Sequence, residues 1–202
     1  MYYKQYMEDI NTVLHELCDY AKYRDWNNMF RLLNCDNNLI NFIPPCNRLS
    51  IMHQVCESDE INVLKTLINK YFGSLKYPIH NIYGSPINLA PKNGLIENYY
   101  KTYDEYYKNY EELLNKENYD DAINILNVYP SFITIYDKTG LTILHKLNND
   151  IDRFIKLYEI GGSKILFIKN STDKTVIDDL PKDSLILEFI NDRILRYIDE
   201  LI

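Results

Sequence analysis

Most of what this sequence lacks removes a class of function. Lys and Arg never stand side by side, and the net charge is −7 with a pI near 5.1. Binding to phosphate backbones needs clustered cations, so nucleic acid is excluded as a partner. No window approaches 18 consecutive apolar residues, which leaves no candidate membrane span. Met1–Asp9 has neither the charged start nor the apolar stretch of a signal peptide, so the expected compartment is the cytoplasm, with the nucleus second. The four cysteines, Cys18, Cys35, Cys46 and Cys56, contain no C-x₂₋₄-C pair. They are predicted to be small apolar fillers of a reduced protein, and no metal or other cofactor is expected. There is no G-x-S-x-G, P-loop, G-x-G-x-x-G, H-E-x-x-H or EF-hand loop, and no catalytic residue is assigned.

Glycine is scarce, at six in 202 residues. Neither glycine nor proline interrupts the stretch from Leu95 to Lys116, which therefore reads as helical. The hydrophobic fraction of 46% and charged fraction of 25% are those of an ordinary globular chain, and the length suits one domain. Leu14, Leu17, Cys18 and Ala21 fall at i, i+3, i+4 and i+7, one apolar stripe on a helix from about Thr12 to Tyr23. Residues 1–10 are expected to be a short cap. Trp26–Leu33, Ile61–Ile68 and Tyr119–Leu126 read as second, antiparallel helices, as does Ile151–Ile160, which Gly161-Gly162 ends. Ile165–Ile168 is expected to be extended. Tyr99, Tyr103, Tyr106 and Tyr110 fall on one helical stripe, predicted to be mostly core with hydroxyls at the rim.

The best-formed segment is Asp137-Lys-Thr-Gly-Leu-Thr-Ile-Leu-His145. Gly140 supplies a turn, Thr142 an N-cap, and His145 lies one helical turn beyond it. Fainter copies begin at Thr12, Ser50, Ser85 and Thr175, giving steps of 38, 35, 57 and 33 residues. His15 and His53 hold the fourth place in two copies, Asn88 and Asp178 in the others. The box resembles the T-P-L-H-x-A of ankyrin repeats, whose period is 33 residues. The resemblance implies an all-α, ankyrin-like helical repeat solenoid of about six degenerate repeats with a C-terminal capping helix. The expected divisions of a single domain over 1–202 are 11–45, 46–80, 81–107, 108–136, 137–170 and 171–202. Leu95–Lys116 is then divided between the second helix of repeat three and the leading helix of an eroded repeat four. The abundance of Asn, Ile, Lys and Tyr fits AT-rich coding, as in pox-like or giant viruses and some protists.

The same resemblance implies that each box histidine is buried between repeats and hydrogen-bonds the box hydroxyl or nearby backbone. Asn88 and Asp178 can replace it in that role but not in proton transfer. The expected function is a non-catalytic scaffold for a protein partner, acting as a monomer. Turn tips and the inner-helix groove would make the contact, with Asn47, Arg48, Tyr83, Tyr136, Asp137 and Lys138 as candidate residues. One alternative is a ubiquitin-ligase adaptor, because Leu180-Pro-Lys-Asp-Ser-Leu distantly resembles the opening of an F-box. Those residues also serve as the last repeat's capping helix, with Leu185, Leu187, Phe189, Ile190 and Leu195 expected inward. The other alternative is an enzyme with a pocket at the irregular third and fourth repeats.

Overall fold

The computed structural model describes residues 2–35, 39–40, 48–77, 79–80 and 82–199, with side chains placed within 11–193. Its helices are α1 (Tyr2–Lys22), α2 (Trp26–Cys35), α3 (Ile51–Ser58), α4 (Ile61–Tyr71), α5 (Leu95–Asn115), α6 (Tyr119–Leu126), α7 (Ile143–Lys146), α8 (Ile151–Gly161), α9 (Val176–Asp179) and α10 (Leu185–Asp199). Short 3₁₀ turns occupy Pro86–Leu89, Pro130–Thr134 and Gly162–Phe167. Among the described residues there is no strand, only isolated antiparallel bridges between His80 and Gly84 and between Lys169 and Thr175. The fold is all-α and built from repeated helix pairs. No described helix is long and apolar enough to cross a membrane.

The chain forms two compact units, Met1–Glu105 and Tyr106–Ile202. In the first, α1 packs on α2 and α3, and α3 packs on α4 and on the Pro86–Leu89 turn. The predicted stripe of Leu14, Leu17, Cys18 and Ala21 is buried. It meets a core that includes Met29, Leu33, Met52, Val55, Leu64 and Leu67, all fully buried. Asp59 ends α3 in the left-handed region (φ 57°), a conformation a short polar residue tolerates. Its carboxylate then accepts from the Leu95 and Ile96 N–H groups at 2.9 and 2.8 Å, capping α5.

In the second unit, α6 packs on α8 and on the Pro130–Thr134 turn, α8 on α10, and α7 on α9. Phe132 lies at the centre of an aromatic cluster, its ring 5.6 Å from Tyr107, 5.7 Å from Tyr110 and 5.1 Å from Tyr129. Pairs at these separations add to simple area burial. Arg153 of α8 ties the helices at the surface, donating to Asp120 of α6 through Nε (2.9 Å) and Nη2 (2.7 Å).

Several expectations change in detail. Residues 2–10 continue α1 rather than forming a separate cap. Leu95–Asn115 is one uninterrupted helix where two were expected, since no residue within it breaks the backbone pattern. Its buried stripe is Ile96, Tyr103, Tyr107, Tyr110 and Leu114, and Tyr106, expected on that stripe, is exposed. Tyr110 lies wholly inside, and burial raises its phenol well above the usual range. Among the described residues its hydroxyl has no hydrogen-bond partner, so it does not reach a rim. Gly162–Phe167 is a 3₁₀ turn instead of an extended stretch. On α10, Ile186 and Ile190 point inward one turn apart while Leu185, expected inside, is exposed; the Leu195 side chain lies outside the described residues. Cys18 and Cys56 are buried fillers, and burial pushes the Cys18 thiol up to about 11. Cys35 is exposed, and Cys46 falls outside the described residues.

Candidate functional site

The turns before three of the boxes are closed by the side chain five residues ahead of the Ser/Thr. Asp137 precedes Thr142, and its Oδ1 accepts from Thr139 N–H (2.8 Å), the Thr139 hydroxyl (2.6 Å) and Leu141 N–H (3.0 Å). Asn170 precedes Thr175, and its Oδ1 accepts from the same three places: Thr172 N–H (2.9 Å), the Thr172 hydroxyl (2.8 Å) and Lys174 N–H (3.1 Å). Backbone bonds from Asp137 N–H to Leu141 and from Asn170 N–H to Lys174 complete the two loops. A carboxylate or amide oxygen gathers donors in this way because it offers two lone pairs to a backbone curled around it. His80 stands five residues before Ser85 and performs the same closure with a ring nitrogen. Its Nδ1 accepts from Ile82 N–H at 3.1 Å and Tyr83 N–H at 3.4 Å.

Two of the three box histidines then fasten the following turn, whereas His15 is half-buried and has its Nδ1 on Arg48 at 3.0 Å. His145 Nδ1 meets the Thr142 hydroxyl at 2.8 Å, and its Nε2 donates to the Lys174 carbonyl at 3.0 Å. His53 does the same from the Ser50 hydroxyl (2.7 Å) to the Gly84 carbonyl (2.9 Å). Both carbonyls belong to the residue just before the next box. Burial lowers the His53 imidazole pKa; the Gly84 bond opposes this and neighbouring His80 adds to it. These histidines join one repeat to the next and present no free nitrogen to a substrate. The Thr142 hydroxyl, expected to cap the backbone, is directed to His145 instead. Asn88 and Asp178 turn back on their own boxes, Asn88 donating to the Tyr83 carbonyl (3.0 Å) and Asp178 accepting from Thr175 N–H (2.8 Å).

Substituting His145 by Ala removes both bonds and leaves the fully buried Thr142 hydroxyl without its partner, while the Lys174 carbonyl keeps the Asn170 N–H. The expected loss in a urea melt is about 1–3 kcal/mol.

The sequence-predicted contact residues separate into two groups. Tyr83 and Tyr136 are 45% and 44% exposed, and Lys138 is exposed beside Tyr136. The Lys138 backbone N–H is held by Asn115 at 3.0 Å, so its side chain projects from a fixed point. Ile82, which the sequence reading passed over, is 72% exposed next to Tyr83. Asp137, expected at the surface, is buried: beyond its three turn bonds it pairs with Lys146 Nζ at 2.9 Å. Burial pushes its carboxyl up, but the bonds from Thr139, Lys146 and Leu141 outweigh this and hold it at about 2. Arg48, also expected to be free, is engaged by Asp19 and by His15 Nδ1. Asn47 lies outside the described residues. His80 and Asn170 were missed; their signal was the shared offset from the box, and their residue types differ.

A surface groove of about 600 Å³ runs between α6 and α8, lined by residues including Ile123, Asn127, Pro130, Lys156 and Ile160. No Ser, Thr, Cys, His or Tyr lines it, and its ionisable residues are Asp120, Lys156 and Glu159. Among the described residues, no cluster of three His, Cys, Asp or Glu is arranged to hold a metal.

No protein-family model matches the sequence, and no curated protein matches it. Solved structures that are weakly similar include the following two. The Osh1 ANK domain from Kluyveromyces lactis is 18% identical, with a TM-score of 0.34 over 75% of this chain and 60% of that one. A chain of the complex between the Bd0816 predatory endopeptidase of Bdellovibrio bacteriovorus and immunity protein Bd3460 is 16% identical, with a TM-score of 0.33 over 80% of this chain and 88% of that one. This chain thus spans less than two thirds of the Osh1 domain's length.

Proposed function

We propose that the protein is a non-catalytic, ankyrin-like scaffold that captures a protein partner through its turn tips. The observation that carries this reading is the contrast between fixed backbone and free side chain at the same turns. Asp137, Asn170 and His80 hold the loops, and His145 and His53 fasten two of them to the preceding repeat. On that frame Tyr136, Lys138, Ile82 and Tyr83 remain exposed. Large side chains on a preorganised loop bind at a low entropic cost, and Tyr is enriched among interface hot spots. A single repeat domain, in which α5 runs unbroken across the expected boundary at 107/108, a monomeric state and a cytoplasmic setting belong to the same proposal. The adaptor alternative gains nothing from α10, whose Phe189 ring is already occupied against Tyr158 of α8 at 5.4 Å.

Changing Tyr136 and Lys138 together to Ala separates binding from folding. Stability is expected to move by no more than about 0.5 kcal/mol, as for other exposed positions. Recovery of partners in a pulldown from the native source is expected to fall sharply against the unaltered chain. Undiminished recovery by the double variant would remove the turn tips from the contact.

A further inference from the structure

The helix pair α6 and α8 copies the pair α2 and α4, and a residue that fills the first pair is missing from the second. α4 and α8 each run eleven residues, Ile61–Tyr71 and Ile151–Gly161, and bury Leu64 with Leu67 and Phe154 with Leu157 at matching places. Just before α2 and α6, Arg24 and Glu117 take the same left-handed backbone, at φ 59° and 60°. Trp26 and Tyr119 then open the two helices, which sets Phe30 against Ile123, Leu33 against Leu126 and Asn34 against Asn127. In the first pair Tyr71 bridges the helices. Its ring stacks on Phe30 at 5.8 Å and its hydroxyl donates to Asn34 Oδ1 at 2.7 Å, with only 2% of the residue exposed. In the second pair Gly161 stands where Tyr71 does, and the groove of about 600 Å³ lies there, lined by Ile123, Asn127 and Ile160 among others. We propose that this groove receives a tyrosine side chain from a protein partner, its ring on Ile123 and Ile160 and its hydroxyl donating to Asn127 Oδ1.

The polar half of the Tyr71 site is kept. Asn127 Nδ2 donates to the Ile123 carbonyl at 3.4 Å, which leaves the oxygen as the end free to accept, and among the described residues nothing donates to it. The apolar half changes residue type but not use. Ile123 takes the place of Phe30, and Ile160 that of Lys70, whose ammonium stands 5.0 Å from the centre of the Tyr71 ring. Two isoleucines offer an aromatic ring an aliphatic floor, and a phenol joins an apolar body to a polar tip. A phenylalanine would cover the same floor and leave the Asn127 oxygen unanswered. The charges also favour a neutral side chain. Asp120 is paired with Arg153 at 2.7 Å, and Lys156 and Glu159, one helical turn apart on α8, offset each other. A carboxylate or phosphorylated ligand therefore meets no surplus of positive charge.

This surface is made by second helices and not by turn tips, so it stands whether or not Tyr136 and Lys138 bind. The probe is N-acetyl-L-tyrosinamide, titrated into the full chain and followed by NMR at the Ile123 and Ile160 methyl groups and the Asn127 side-chain amide. Saturable shifts centred on these groups are expected. N-acetyl-L-phenylalaninamide is expected to bind about fivefold more weakly, the ratio that one hydrogen bond supplies. Gly161→Tyr gives the second pair its own copy of Tyr71. The Gly161 backbone, at φ −108° and ψ −11°, accepts a side chain, so the midpoint of a urea melt is expected not to fall. The tyrosine probe is expected to lose its saturable shifts in that variant. Asn127→Ala, at an exposed position, serves as the second variant and is expected to bring the two probes to equal affinity. Asn127→Asp keeps an acceptor and is expected to preserve the preference for tyrosine. Absence of saturation at Ile123 and Asn127, equal affinity of the two probes for the unaltered chain, or binding that persists in Gly161→Tyr would each overturn the assignment. Failure of the turn tips to bind shows separately, in the Tyr136 and Lys138 double variant.

Discussion

Replacing Asp137 with Ala is expected to destabilise the protein by about 3 kcal/mol, more than a typical surface change and in the range of a broken buried network. One oxygen of this carboxylate holds Thr139 and Leu141, and the other holds Lys146. Alanine strands two backbone N–H groups and leaves a half-buried ammonium without its partner. Asp137→Asn keeps the accepting oxygen, as Asn170 does in the next turn, and forfeits only the ion pair; about 1 kcal/mol is expected. The pair of variants therefore separates turn closure from charge. Acid gives an independent measure. The folded carboxyl titrates at about 2, below its ordinary value of 3.8, so the native state binds fewer protons than the unfolded chain between those limits. This contribution is fully present above about pH 4 and is lost as the pH falls towards 2. Urea melts across that window should show Asp137→Asn losing less stability than the unaltered chain. Parallel acid profiles would mean that the carboxylate is not held as the geometry shows.

The place of Asp137 also marks where sequence reading stops. A polar residue beside Gly140 on a turn reads as an exposed contact, and nothing in its type reveals that its oxygen folds back on three donors. What was legible came from periodicity: the stripe of Leu14, Leu17, Cys18 and Ala21, and the Thr-to-His step that places His145 against Thr142. Such patterns are local and survive in one dimension. The course of α5 was not legible in the same way, because the repeat period demanded a break where the backbone meets no glycine or proline to make one. That Tyr107 and not Tyr106 is the buried ring goes with its contact with Phe132 at 5.6 Å, a tertiary fact. His80 was hidden for another reason. A histidine is an uncommon turn cap, so its equivalence to Asp137 and Asn170 appears only when the offset to Ser85 is counted.

Gly140→Ala is the second change expected to cost about 3 kcal/mol, and its cost has two separable sources. At φ +81° the backbone lies where a Cβ is penalised by about 1–2 kcal/mol whatever the surroundings. The new Cβ would also stand 1.9 Å from Ser171 Oγ and 2.7 Å from Ser171 Cβ, distances that force the neighbouring turn to move. Rotating the Ser171 side chain relieves the first contact but not the second, because its Cβ is fixed by the backbone. That movement strains the bond by which Ser171 N–H donates to the Gly140 carbonyl at 2.9 Å, the direct link between the two turns. Ser171→Gly introduced together with Gly140→Ala removes both clashing atoms and leaves only the penalty on φ. The double variant should therefore recover roughly half of the loss, to about 1–2 kcal/mol below the unaltered chain. If the two changes add instead, with no recovery, the turns do not meet through Ser171. Coupling through this contact would mean that a displacement of one turn tip is felt at the next, as neighbouring repeats in such arrays stabilise one another through their shared interface.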